Sequence, residues 1–115
     1  MRLTFIQFSP FVADWRRLRL SDEDLRALET QIMDRPDAGV VLAGTGGLRK
    51  IRFAPPSWNR GKSGATRVCY VYLSAVAHCY LLTIFGKNEK PNLSAADKAA
   101  IRAWVTYARA AAEQG

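Results

Sequence analysis

The sequence predicts one α+β domain over residues 1–115: an antiparallel sheet of about four to five strands, with two N-terminal helices and a C-terminal helix. Three observations predict it. A chain of 115 residues is enough for a single modest core and too short for two. Its apolar residues follow a helical period from Pro10 to Pro36 and after Ser94 but read as strands from Val40 to Phe85. Those middle strands run consecutively with no helix between them, which suits an antiparallel sheet covered by helices on one face.

The elements follow in order. Arg2 to Phe8 alternates and reads as a largely buried first strand. Ser9 and Pro10 open a short helix, because proline's fixed φ and missing N–H suit a first turn, and Phe11, Trp15 and Leu18 recur at i, i+4 and i+7. Ser21 is placed to cap a second helix, whose Asp22, Glu23 and Asp24 suit the positive end of the dipole. Leu25, Leu28 and Ile32 make its apolar stripe and Pro36 ends it. Val40 to Leu42 forms a short strand and Gly44 to Gly47 a turn. Leu48 to Ala54 forms a longer strand, stopped by Pro55 and Pro56, and Ser57 to Ala65 is a polar loop. Thr66 to Leu73 and Cys79 to Phe85 are strands joined through Ser74 to His78. Ser94 caps the last helix, which gathers Ile101, Trp104, Val105 and Ala108 on one face.

Charge carries the functional signal. The formal net charge is +7, and it is concentrated. Between Asp37 and Glu89 lie Arg49, Lys50, Arg52, Arg60, Lys62, Arg67 and Lys87 with no acidic residue, while the rest of the chain balances to neutrality. Uncompensated like charges cost stability, so the pattern points to a phosphate-bearing partner. No apolar run is long enough to span a bilayer, and the N-terminal residues lack the pattern of a signal peptide, so a soluble cytoplasmic protein without membrane association is expected. Cys69 and Cys79 are expected as two buried thiols.

Strand parity puts Arg49, Ile51 and Phe53 on one face of their strand and Leu48, Lys50 and Arg52 on the other. In the next strand Arg67, Cys69, Val71 and Leu73 oppose Val68, Tyr70 and Tyr72. Helices covering one face would leave the other with cations for phosphates and rings for unstacked bases. Arg60-Gly61-Lys62-Ser63-Gly64 is not a P-loop, because Pro56 stands where that motif needs its first glycine. It reads instead as a basic loop that holds nucleic acid, with Trp58 beside it as a stacking candidate. His78 is the only histidine, and no acidic pair lies in the basic segment, so neither a metal site nor a cofactor is expected.

The motifs Gly44-Thr45-Gly46-Gly47-Leu48-Arg49-Lys50-Ile51-Arg52, Gly61-Lys62-Ser63-Gly64, Arg67-Val68-Cys69-Tyr70 and Leu82-Thr83-Ile84-Phe85-Gly86-Lys87-Asn88-Glu89 stand in that order. With Leu20-Ser21-Asp22-Glu23 and Asn92-Leu93-Ser94 they resemble the HigB branch of the RelE/ParE superfamily of toxins. The resemblance implies a RelE-like microbial-ribonuclease fold. It also implies a type II toxin that cuts mRNA in the ribosomal A site by metal-independent transfer of the phosphate to the 2′-hydroxyl. Implied partners are mRNA, ribosomal RNA and a HigA-like helix-turn-helix antitoxin. Arg67 matches the arginine that stabilises transition-state charge, Lys50, Arg52 and Lys62 match RNA-gripping positions, and Lys87 matches the lysine after the last strand. Arg49, Arg60 and Trp58 complete the RNA-binding candidates.

One position departs from the pattern. Phe85 stands where the family commonly has tyrosine, so the ring that stacks on a base is kept and the proton-transfer group is lost. A lysine or ribosomal RNA then has to move the proton, with Tyr70, Tyr72 and Tyr80 as further substitutes. The alternative is a non-catalytic RNA- or ribosome-binding inhibitor of translation, or a degenerate toxin. A basic DNA-binding partner is disfavoured because no recognition helix rich in Arg, Asn or Gln is evident.

Overall fold

A computed structural model describes residues 2–58, 64–89 and 93–114. Arg60 and Lys62 lie outside the described residues. The elements are β1 (Thr4–Gln7), α1 (Ser9–Arg17), α2 (Asp22–Asp34), β2 (Val40–Val41), β3 (Arg49–Phe53), β4 (Thr66–Leu73), a 3₁₀ turn (Ser74–Val76), β5 (His78–Gly86) and α3 (Ala95–Gln114). They form one five-stranded sheet in the order β1-β5-β4-β3-β2. The antiparallel β2-β3-β4-β5 run matches the expectation, but β1 lies parallel to β5, so the sheet is mixed. The long connection through α1 to β4 carries the chain from β1 to the strands beyond, which a tight hairpin could not do.

The helices do not share a face. Phe11, Trp15, Leu28 and Ile32 of α1 and α2 pack with Phe53, Val68, Tyr70, Cys79, Leu81 and Ile84. Val105 of α3 packs in a second cluster with Leu48, Cys69, Val71, Leu73 and Phe85, and Ile101 and Trp104 flank it. The reason lies in β4, whose two sides are both apolar and buried, so each needs its own cover. The two free cysteines fall in different clusters, on opposite sides of the sheet.

Local chemistry sets the helix starts. Ser21 Oγ accepts from the Asp24 N–H at 3.1 Å while the Ser21 N–H donates to Asp24 Oδ2 at 2.9 Å, a capping box that meets two otherwise unpaired amides. Ser94 and Asp97 repeat the arrangement at α3, both bonds at 3.1 Å. Asp24 is fully buried and does more than cap. Its carboxylate also accepts from the Ser57 N–H at 2.9 Å and the Ser57 hydroxyl at 2.6 Å, tying the turn after β3 to α2. Burial raises the Asp24 pKa, but the hydrogen bonds from Ser21 and Ser57 outweigh it and hold the carboxyl below its ordinary value.

A β-bulge interrupts the β4–β5 ladder. Cys69 pairs with Thr83 and Tyr70 with Leu81, leaving Leu82 as the extra residue. The shift lets Leu81 and Ile84 both face the α1–α2 layer, and it brings Thr83 into line with Cys69.

Candidate nucleic-acid interface

Register brings the basic residues together. Arg52 is the direct partner of Arg67, and Arg67 of Phe85, so the three form one row across β3, β4 and β5. Lys50, Cys69 and Thr83 form the adjacent row on the same face, about 7 Å further along the strands. This is the face on which α3 packs, at the end beyond Val105 and Leu48.

Arg67 is half-buried and donates from Nη1 to the carbonyl of Thr66 at 3.2 Å, while Arg52 is exposed. Among the described residues neither makes a salt bridge. The only ion pairs there join Arg17 to Asp14 and Arg17 to Glu89. Directly opposed like charges on paired strands are unfavourable for the protein alone. Two arginines at opposed strand positions are suited to an anion that presents several oxygens, such as a phosphodiester.

Lys87 follows β5 in a turn closed by the Glu89 N–H donating to the Gly86 carbonyl at 3.0 Å. It is exposed, and its stem passes over Gly64, where an added Cβ would stand 3.1 Å from Lys87 Cδ. Gly64 also holds a φ of +104°, so the missing side chain matters twice: for the backbone and for the lysine's path.

Other candidates are placed differently. Arg49 pairs with Tyr70 and so lies on the opposite face from Lys50, and its Nη1 donates to the carbonyls of Asp37 (2.9 Å) and Gly39 (2.8 Å). There it ties down the chain after α2 and stands apart from the Arg52–Arg67 row. Trp58 is half-buried in the turn held by Asp24 and Ser57. Phe85 retains only 8 % of its surface, so the open stacking face expected of it is absent and the ring instead belongs to the core beneath α3.

The tyrosines offered as substitutes also separate. Tyr70 is fully buried, its hydroxyl donating to the Pro36 carbonyl at 2.6 Å, and it packs with Tyr72 in the α1–α2 layer, away from Arg67. Tyr80 shares the α3 side but packs edge-on against Trp104, with its hydroxyl 3.3 Å from His78 Nδ1. None of the three reaches the arginine row. Among the described residues no three His, Cys, Asp or Glu side chains are gathered as a metal site would need. No helix there is long and apolar enough to cross a membrane.

A groove of about 400 Å³ adjoins the second row through Thr83. Leu48 and Leu82 also line it, with Phe8 and Pro10 on one side and Leu93, Ala100 and Ile101 on the other.

Solved structures share this fold. An E. coli toxin RelE variant with two arginines changed to alanine, in the free state, matches with a TM-score of 0.56, covering 89% of this chain and 98% of its own at 19% identity. The chain has the RelE fold. The intact E. coli RelBE toxin–antitoxin complex matches likewise, with a TM-score of 0.53 over 77% of this chain and 100% of that one, at 18% identity. No protein-family model matches the sequence. The RelE-like α+β architecture expected from the motifs is therefore borne out, and the row of Arg52, Arg67 and Phe85 lies on the sheet of that fold.

Proposed function

We propose that this chain is the toxin of a type II toxin–antitoxin system, of the HigB kind, and that it inhibits translation in the cytoplasm by cutting mRNA on the ribosome. The observation that carries the reading is the Arg52–Arg67 pair on the face of a RelE fold, with Lys50 in the next row and Lys87 at the strand end. In the proposed reaction the ribose 2′-oxygen attacks the adjacent phosphorus and the bond from phosphorus to the 5′-oxygen breaks. The products are a 2′,3′-cyclic phosphate and a 5′-hydroxyl. The 2′-hydroxyl proton leaves to a base, and the departing 5′-oxygen gains one. The chemistry is proposed to proceed without metal: Arg67 stabilises the charge that builds on the non-bridging oxygens, and Lys50, Arg52 and Lys62 hold flanking phosphates. Lys87 contacts the phosphate and, with ribosomal RNA, is the group left to move protons, because Phe85 has no hydroxyl and the tyrosines lie elsewhere. A helix-turn-helix antitoxin of the HigA type would neutralise the protein by covering the basic face.

Phe85 also supports a second reading, a protein that occupies the A site and blocks translation without cutting. Mapping mRNA 5′ ends after induction separates the two. Discrete new ends inside codons are expected from the nuclease, whereas intact message with stalled ribosomes would establish the blocker.

A further inference from the structure

Glu89 makes a set of contacts that the basic face alone does not explain. Its carboxylate accepts from both terminal nitrogens of Arg17, at 2.8 and 3.2 Å, across 72 positions of sequence. The same Oε1 accepts from the Gly86 N–H at 2.7 Å, while the Glu89 N–H donates to the Gly86 carbonyl at 3.0 Å. The turn from Gly86 to Glu89 is thus closed by two hydrogen bonds and fastened from outside by a forked guanidinium. Arg17 in turn lies 3.5 Å from Asp14 Oδ1, and Asp14 Oδ2 accepts from the Thr83 hydroxyl at 3.0 Å. The chain of contacts therefore begins in the Lys50–Cys69–Thr83 row and ends at the turn that carries Lys87.

Arg17 and Glu89 are both close to half exposed, and a lone exposed ion pair contributes little to stability. A bidentate pair within a network, by contrast, fixes direction as well as distance. Hydrogen bonds from Arg17 and from the Gly86 N–H hold the Glu89 carboxyl below its ordinary value, so it is charged wherever the protein works near neutrality.

We infer that Arg17 and Glu89 form a clamp that positions Lys87 against the Arg52–Arg67 row, making Glu89 a positioning residue for the substrate phosphate. The inference rests on the nuclease reading for the identity of that phosphate. The clamp itself does not depend on cleavage. Nothing local in the sequence signals it, because its partners are far apart in the chain and neither belongs to the basic segment.

A double-mutant cycle tests it on the full chain, using Glu89→Gln, Lys87→Ala and the double variant, with Arg17→Ala as a second route to the same break. Cleavage of ribosome-bound mRNA and equilibrium binding of a short single-stranded RNA oligonucleotide are both measured. Glu89→Gln is expected to slow cleavage by about 10- to 100-fold, the scale of a misplaced catalytic group. Lys87→Ala is expected to add little when Glu89 is already changed, since one acts through the other. The backbone amide of position 89, which donates to the Gly86 carbonyl, should exchange with solvent faster in Glu89→Gln and in Arg17→Ala, while Tm stays within a few degrees of wild type. Multiplying losses, wild-type cleavage by Glu89→Gln, or losses that follow a large fall in Tm would overturn the clamp. If the wild-type protein cleaves nothing, the nuclease reading fails by itself, and the cycle read in oligonucleotide binding still decides whether Glu89 acts through Lys87.

Discussion

Arg52 and Arg67 are direct cross-strand partners, two arginines at opposed positions on one face of β3 and β4. Favourable cross-strand pairs are worth roughly 0.2–1 kcal/mol, and like charges directly opposite act with the contrary sign. Replacing one with a neutral strand-forming residue should therefore stabilise the free protein. Arg52→Thr is expected to raise the urea midpoint by an amount equivalent to about 0.5 kcal/mol. A clear fall in the midpoint would mean that Arg52 has a structural partner after all.

The same substitution should weaken binding to RNA in a salt-dependent way. For single strands the log–log slope of affinity against salt changes by about 0.7 for each phosphate contact. Arg52→Thr is expected to reduce the slope by about that amount for a short oligonucleotide. An unchanged slope would remove Arg52 from the phosphate contacts.

Asp24 holds the turn that carries Trp58, and its loss should be felt in stability. Asp24→Ala removes a capping box and leaves the amides of Ser21 and Ser57 without their acceptor, a cost of about 2–4 kcal/mol by denaturant unfolding. The pH dependence has a definite sign. The folded-state pKa lies below the ordinary 3.8, so this stabilisation is complete above that value and is lost as pH falls through the lower folded pKa. Asp24→Asn should flatten the acid limb of the stability profile. If the limb is unchanged in Asp24→Asn, other carboxylates dominate acid unfolding.

The two thiols should be inert in the folded protein. Burial pushes Cys69 up to about 11 despite the nearby charge of Lys50, and pushes Cys79 up to about 12, with Glu29 adding to the rise. Iodoacetamide near pH 8 is expected to label neither residue until denaturant is added. Rapid labelling of Cys69 in the folded state would show that the second row opens to solvent.

Features written in short stretches of chain were legible in advance. The limits of β4 follow from the polar loop before it and the turn after it, and the starts of α2 and α3 follow from Ser21 and Ser94, whose capping needs only residues three positions away. Parity also separates Lys50 and Arg52 from Arg49, although charge alone groups all three as RNA-binding candidates. What escaped depends on contacts distant in sequence. The parallel placement of β1 against β5 is not written in either strand, and α3 takes the second face because both sides of β4 are apolar. The bulge at Leu82 breaks simple alternation and brings Thr83 into the row of Lys50. The stacking ring at Phe85 is implied only by the resemblance, which carries no information about burial, and the second apolar cluster covers it.

The most direct test of the central claim compares Arg67→Ala with Arg35→Ala, which removes an equal charge from outside the basic segment, by growth after induction and by circular dichroism of the purified proteins. Losing a charge-stabilising donor costs about 10²–10³-fold in rate. Arg67→Ala is therefore expected to relieve growth arrest while remaining folded, and Arg35→Ala to arrest growth as the unaltered protein does. A folded Arg67→Ala protein that arrests growth as strongly as wild type would contradict the account.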